Sequence, residues 1–251
     1  MSDQKYTNFG FQKILSSEKQ SLVDSVFSGV ADKYDLMNDL MSFGTHRIWK
    51  REFLKQIPDF SGKLLDVAAG SGDISLGYYQ RARDKGISPQ IVTSDVNPDM
   101  LKHAKSKSID KNILTGIDFA AADATALPFE DESFDYVTIA FGIRNVPEIE
   151  KALGEFKRVL KKGGKFLCLE FSPLEEGIVS NLYEFYSFNI IPKIGKFITN
   201  NEEAYQYLVE SIKKFPKKDK FRKMIEDAGF EAASYKSMTS GVVCIHWGYK
   251  L

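Results

Sequence analysis

Apolar positions along the chain follow two periodicities, and their order predicts the architecture. Between residues 19 and 57 they recur at three- and four-residue spacing. Tyr34, Met37, Leu40 and Met41 share one helical face, Gly44 marks a break, and Trp49, Phe53 and Ile57 continue on an amphipathic helix that Pro58 ends. From residue 63 onward the pattern changes to short apolar runs at 63–68, 90–94, 117–121, 134–140 and 165–171, which read as strands. Helical segments are predicted between them: about 73–84, from Asn97-Pro98 onward, and 148–160, the last stopping at Gly163-Gly164. Alternating strands and helices joined by short turns predict a parallel sheet with right-handed crossovers. After a helix ending at Ala228-Gly229-Phe230, runs at 232–238 and 242–249 flank Thr239-Ser240-Gly241, a hairpin signal that closes the sheet antiparallel.

Composition narrows the class. A chain of 251 residues with 43% hydrophobic content suits one α/β domain with additions. Lys+Arg and Asp+Glu both number 34, so no field for nucleic acid is expected. Cys168 and Cys244 lie within apolar runs and read as buried thiols of a reducing compartment, neither a disulfide framework nor a metal site. Residues 1–25 lack an apolar h-region and any Arg, and include Asp3, Glu18 and Asp24, which speaks against a secretory or mitochondrial leader. No stretch of eighteen apolar residues predicts a membrane span.

Candidate chemistry concentrates at the strand ends. Asp66 lies within the first run of the core, which turns at Gly70-Ser71-Gly72-Asp73; Asp95 ends the second run, and Asp123-Ala124 follow the third. Gly70 and Gly72 allow a tight turn and close approach of a ligand, and Asp95 is placed to accept from both hydroxyls of a ribose. A dinucleotide site would show a third glycine where Ser75 stands, and Asp73 would point negative charge at a phosphate. S-adenosyl-L-methionine has no phosphate and carries a sulfonium cation, so recurring carboxylates favour it. A glycine turn without any cofactor leaves those acids unexplained. Five parallel strands and a terminal hairpin are the class I S-adenosylmethionine-dependent methyltransferase form of the Rossmann-like sheet. The domain is expected to divide into an N-terminal helical cap (1–60), a cofactor-binding core (61–173), a substrate-side insertion (174–215) and a C-terminal helix and hairpin (216–251).

Longer stretches carry a resemblance over nearly the whole chain. They are Val26-Phe27 through Lys50, Phe141-Gly142-Ile143-Arg144-Asn145-Val146, Leu169-Glu170-Phe171-Ser172, Tyr186-Ser187-Phe188, Tyr205 through Ile212, and Gly248-Tyr249-Lys250. The sequence resembles the ubiquinone/menaquinone biosynthesis C-methyltransferase family. Ala140 stands where many relatives have Ser, which weakens any hydroxyl role there, and Trp247 replaces a usually smaller or charged residue.

The resemblance implies methylation of a polyprenylated quinol ring, a benzoquinol or a demethylmenaquinol, at a site whose members can be placed residue by residue. Ser71 would sit near the methionine end, or else cap the following helix. Asp95 and Val96 would hold the ribose, Asp123 would accept from the adenine amino group with Ala124 leaving room for the ring, and Ala140 would lie beside the cofactor. Tyr34 and Met41 would close over it, or simply pack a core. Arg144 and Asn145 would be catalytic, the guanidinium steadying a developing phenolate; the alternative for Arg144 is a salt bridge fixing its loop. Asn200, Tyr205 and His246 would contact substrate, although a lone strand histidine is more often structural. Tyr183, Phe185, Tyr186, Phe188, Phe197 and neighbouring isoleucines suit an isoprenoid pocket or a packed lid. The basic run from Lys213 to Arg222 reads as a solvated face or a weak attraction to anionic lipid. Expected partners are therefore the quinol, peripheral membrane contact at the inner face of a bacterial inner membrane from a cytoplasmic position, and a homodimer or quinone-biosynthesis complex, with no metal and no nucleic acid. Methylation of another lipophilic acceptor and a non-catalytic scaffold are the alternatives.

Overall fold

The structure, a computed structural model, describes residues 5–28, 42, 44–174 and 202–251. A seven-stranded sheet carries the fold. Its strands are β3 (Lys63–Val67), β4 (Gln90–Asp95), β5 (Ile117–Ala121), β6 (Phe134–Ala140), β7 (Leu160–Phe171), β8 (Glu231–Met238) and β9 (Val243–Tyr249), in the spatial order β5-β4-β3-β6-β7-β9-β8. The five strands from β5 to β7 are parallel, and β9 lies antiparallel between β7 and β8. The chain runs outward from β3 to β5 and then returns to place β6 on the other side of β3. That reversal leaves a crevice at the carboxyl ends of β3 and β6, where open α/β sheets bind ligands.

Both faces of the sheet are covered, which is why its strands are apolar without strict alternation. Side chains still point to opposite faces in turn. Phe166 and Cys168 of β7 face α5 (Ile149–Val159) and α7 (Lys218–Asp227), packing with Leu153, Phe156, Phe221 and Ile225. Leu167 and Leu169 face the opposite layer, α2 (Thr45–Leu54) and α3 (Asp73–Asp84), which contributes Trp49, Phe53, Ile74 and Tyr78. Each fully buried side chain of this size contributes about 1.5–3 kcal/mol. Between β4 and β5 runs α4 (Pro98–Asp110), capped by Asn97, whose Oδ1 accepts from the Asp99 and Met100 amides at 2.9 and 3.3 Å.

Three local expectations are corrected. The helix expected over 148–160 runs from Ile149 to Val159, but Gly163-Gly164, expected to stop it, lie inside β7, which is extended from Leu160, paired with Phe134. The helix expected to continue to Ile57 ends at Leu54; Ile57 is buried in the turn beyond it. Ahead of the helices lies an unexpected two-stranded ribbon, β1 (Tyr6–Phe9) and β2 (Gln12–Leu15), followed by α1 (Ser16–Ser28). The ribbon is held from outside: Thr7 Oγ1 donates to Pro147 O at 3.1 Å, and the Phe11 amide donates to Glu210 of α6 (Glu202–Lys214) at 2.9 Å.

Gly72 opens α3 in the left-handed region at φ +77°, and a Cβ there would lie 3.2 Å from the Ala104 methyl of α4. Gly72→Ala should therefore cost about 1–2 kcal/mol and lower the thermal midpoint by roughly 2–8 °C. An unchanged midpoint in a thermal melt would contradict this reading of the turn.

Candidate active site

Backbone conformation shapes the crevice before any side chain does. Ala68 (φ +49°) and Gly70 (φ +56°) follow β3 in the left-handed region, and Phe141 (φ +57°) does the same after β6. Such conformations cost about 1–3 kcal/mol at a non-glycine residue and cluster at ligand sites. Gly142 brings the two turns together: a Cβ there would stand 2.7 Å from the Ala68 Cβ. The resulting cleft encloses about 690 Å³ and opens to solvent.

Asp95 ties the cleft's rim together. The Gly70 amide donates to its Oδ2 at 2.8 Å and the Asn97 amide to its Oδ1 at 2.9 Å. These two bonds orient the Asp95 carboxylate at the rim. On the next strand end, Asp123 Oδ1 accepts from the Thr125 amide and hydroxyl at 2.7 and 2.9 Å, while its Oδ2 has no protein donor among the described residues. Val96, Ala124, Val67, Met100 and Val146 add apolar lining. Among the described residues the lining holds two carboxylates, Asp95 and Asp123, and no Lys, Arg or His.

Other expected cofactor residues lie beneath the cleft. Asp66 is buried and accepts from the Ser75 amide (3.1 Å), Ser75 Oγ (2.8 Å) and Thr138 Oγ1 (2.9 Å); burial pushes its carboxyl up to about 6. It fastens α3 to β3 and β6 and is not part of the lining. Gly72, rather than Ser71, is the N-cap of α3. Ser71 is buried and receives Lys107 Nζ at 3.5 Å. Asp73 sits between Lys50 (2.5 Å) and Lys107 (2.7 Å). Burial works to raise its pKa, but the two ammonium groups prevail and hold it well below the ordinary carboxylate range. Its charge is thus neutralised locally. Ala140 packs with the apolar layer of Trp49 and Leu169 and does not line the cleft.

Arg144 and Asn145 form a short 3-10 turn after β6, and the structure separates them. Asn145 lines the cleft. The Arg144 guanidinium is turned away and paired with Glu170 of β7 at 2.9 Å, with both side chains buried. It also donates to Phe141 O and lies 5.8 Å from the Phe171 ring centre. Burial raises the Glu170 pKa, and Arg144 acts against that rise. Lys19 of α1 completes the clasp, donating to Arg144 O (3.1 Å) and Val146 O (3.3 Å); burial lowers its pKa to about 8. The guanidinium expected to face a phenolate is therefore the salt bridge that fixes its loop.

His246 is not brought to the cleft. It sits mid-strand on β9 opposite Cys168, packed against Phe221 and Tyr235 at 4.9 and 5.3 Å, and its Nε2 meets Lys218 O at 3.0 Å. The expectation that it binds substrate fails because its position in the strand faces α7. Tyr34, Met41, Asn200, the side chain of Tyr205 and the aromatic residues of 183–198 lie outside the described residues. Among the described residues no cluster of His, Cys, Asp and Glu could hold a metal ion.

Several site residues carried no readable signal of their own. Met100 was not singled out, and Asn97 showed only as the residue before Pro98. Phe141 and Glu170 were visible only as parts of matching stretches. Tyr207 reaches Asn145 across 62 positions, its hydroxyl 3.0 Å from Oδ1, a contact that only tertiary folding creates.

Comparison with known proteins agrees with this geometry. The model of the ubiE/COQ5 methyltransferase family matches residues 14–250. The ubiquinone/menaquinone biosynthesis C-methyltransferase UbiE of Rickettsia bellii (strain OSU 85-389) is 61% identical over 245 residues, covering 98% of this chain and 99% of that protein. The protein of the same name from Rickettsia felis is 59% identical over 245 residues, with the same coverage. Among solved structures, a SAM-dependent methyltransferase and possible histamine N-methyltransferase from Thermotoga maritima superposes with a TM-score of 0.61 at 18% identity, covering 90% of this chain and 99% of that one. A SAM-dependent methyltransferase from Aquifex aeolicus gives 0.55 at 16% identity, covering 94% and 98%. At such identities the solved structures share the fold alone.

Burial lowers the His246 pKa to about 4, below its ordinary value of 6.5. The folded protein thus refuses a proton that the unfolded chain accepts, so stability is lost as pH falls from about 6.5 to 4, by about 3 kcal/mol. His246→Gln should flatten that part of the stability curve relative to the unaltered protein while turnover is retained. Denaturant titrations across this range together with an activity assay check it; lost turnover in a folded variant would restore His246 to the site.

Proposed function

The chain belongs to the ubiE/COQ5 methyltransferase family and is an S-adenosylmethionine-dependent C-methyltransferase of ubiquinone and menaquinone biosynthesis, and from that premise we propose the following division of labour in its cleft. The observation that carries the reading is the charge of the lining, which among the described residues holds two carboxylates and no cation. A pyrophosphate would meet repulsion there; a sulfonium meets attraction. Gly142 shapes the wall of that cleft, because a Cβ there would stand 2.7 Å from the Ala68 Cβ and hold the turns after β3 and β6 apart.

In this reading Asp95, oriented by the Gly70 and Asn97 amides at the end of β4, accepts from the two ribose hydroxyls. Asp123 Oδ2 accepts from the adenine amino group, while Thr125 holds the other oxygen. Val67, Val96, Met100 and Ala124 give the adenosine an apolar bed that excludes water. Asp66, Ser71 and Gly72 act on the cofactor through the loop they hold. When bound, S-adenosylmethionine supplies an electrophilic methyl group: a quinolate ring carbon forms the new C–C bond as the C–S bond breaks, and the ring proton then passes to water. Asn145, in the turn after β6, donates a hydrogen bond to the ring oxygen as the hydroxyl proton passes to water and negative charge develops there. Arg144 and Glu170 hold the turn that presents Asn145. Polyprenylated quinol reaches this site from the membrane. No helix among the described residues is long and apolar enough to cross a bilayer, so contact is peripheral, with the exposed Lys214, Lys217 and Lys220 facing anionic lipid.

Two expectations test the reading. Asp95→Ala should weaken S-adenosylmethionine binding by at least roughly 100-fold, because charge-assisted hydrogen bonds contribute about 1.5–3 kcal/mol each. Calorimetry showing unchanged affinity in a folded variant would remove the ribose assignment.

The acceptor must also be the reduced ring, since only a quinol can lose a hydroxyl proton and make its ring carbon nucleophilic. Incubation with labelled S-adenosylmethionine and each demethylated quinol, with the product identified by mass, should show ring methylation that stops when the reductant is omitted. Equal turnover of the oxidised quinone would exclude the mechanism.

A further inference from the structure

We propose that Tyr207 is a positioning residue for methyl transfer, its hydroxyl holding the Asn145 carboxamide so that Nδ2 donates into the cleft. The inference rests on the reading of Asn145 given above. The Tyr207 hydroxyl lies 3.0 Å from Asn145 Oδ1. An amide bonded through its oxygen presents its –NH2 on the other side. Asn145 Nδ2 has no protein acceptor among the described residues, and Asn145 lines the cleft.

The surroundings make the hydroxyl a donor of fixed aim. Tyr207 is only 5% exposed. Burial pushes its phenol up to about 12, so it keeps its proton throughout the working range. Its ring stacks on Phe9 of the N-terminal ribbon, with centroids 4.3 Å apart and planes inclined by 22°. The backbone of the turn is clamped separately, by Glu170 on the Arg144 amide (3.4 Å) and by Lys19 on the carbonyls of Arg144 and Val146. What remains free is the Asn145 side-chain torsion, and Tyr207 is the protein group that sets it. This also gives the ribbon a purpose, as the support that keeps Tyr207 over the turn.

Catalytic donors act through prior orientation, and loss of one such donor lowers turnover about 10²–10³-fold. Removing a neutral hydrogen bond that merely orients the donor should cost about ten-fold. A packing role predicts otherwise, because phenylalanine keeps the ring and its stack on Phe9. The test compares the full-length protein with Tyr207→Phe, Asn145→Ala and the double variant. It reads kcat and KM on a short-tailed demethylated quinol, S-adenosylmethionine affinity and thermal midpoint. Tyr207→Phe should lower kcat about ten-fold with KM and cofactor affinity within about two-fold. Asn145→Ala should lower it about 100-fold, and the double variant should match Asn145→Ala, since an orienting group has no effect once its target is gone. Unchanged kcat in Tyr207→Phe, or multiplied losses in the double variant, would overturn the positioning role alone. An unaltered protein inactive on both quinols would overturn the reading of the reaction, and this inference with it.

Discussion

The buried ion pair between Arg144 and Glu170 is the constraint on which the geometry of the cleft depends. Taking both charges out of water costs several kcal/mol per ion, and only close pairing with further hydrogen bonds offsets that cost. Those bonds are present: Glu170 accepts from Arg144 Nη1 and from the Phe171 amide, each at 2.9 Å, and Arg144 also reaches Phe141 O. The pair joins the end of β7 to the turn after β6, and Lys19 draws α1 onto the same turn. Removing one partner would leave the other charged and buried, a loss of about 3–5 kcal/mol. The strained Phe141 backbone and the presentation of Asn145 persist because this clasp holds them.

A second clasp, Asp95 on the Gly70 and Asn97 amides, fixes the opposite rim in the same way. Between them the two clasps explain how a flat sheet edge becomes a shaped site. Each uses a carboxylate at a strand end, but only one faces the cleft. Asp95 lines the cleft, whereas Glu170 is buried with its partner and supports the structure.

Much of this was legible in the sequence. Apolar runs marked all seven strands of the main sheet, the central ones most clearly because they are buried on both faces. Asp95 and Asp123 could be placed together at the cleft because one ends β4 and the other follows β5, and strand ends on one edge of a parallel sheet converge. What escaped were features created by tertiary contact. The Tyr6–Leu15 ribbon mixes polar and apolar residues without a regular period and is held by Pro147, Glu210 and Tyr207, so no local pattern announces it. Arg144 beside Asn145 suggested two groups facing one ligand, yet a tight turn sends neighbours in different directions, and Glu170, 26 residues away, decided which. His246 had a plausible strand position, but the alternation of β9 turned it toward α7.

The central claim is that Asn145, and not Arg144, meets the reacting ring. The most direct measurement is a crystal structure with S-adenosylhomocysteine and a demethylated quinol bound. The account predicts Asn145 Nδ2 within about 3 Å of the ring oxygen, with the Arg144 guanidinium still on Glu170. A guanidinium that has left Glu170 to bond the ring oxygen would contradict it.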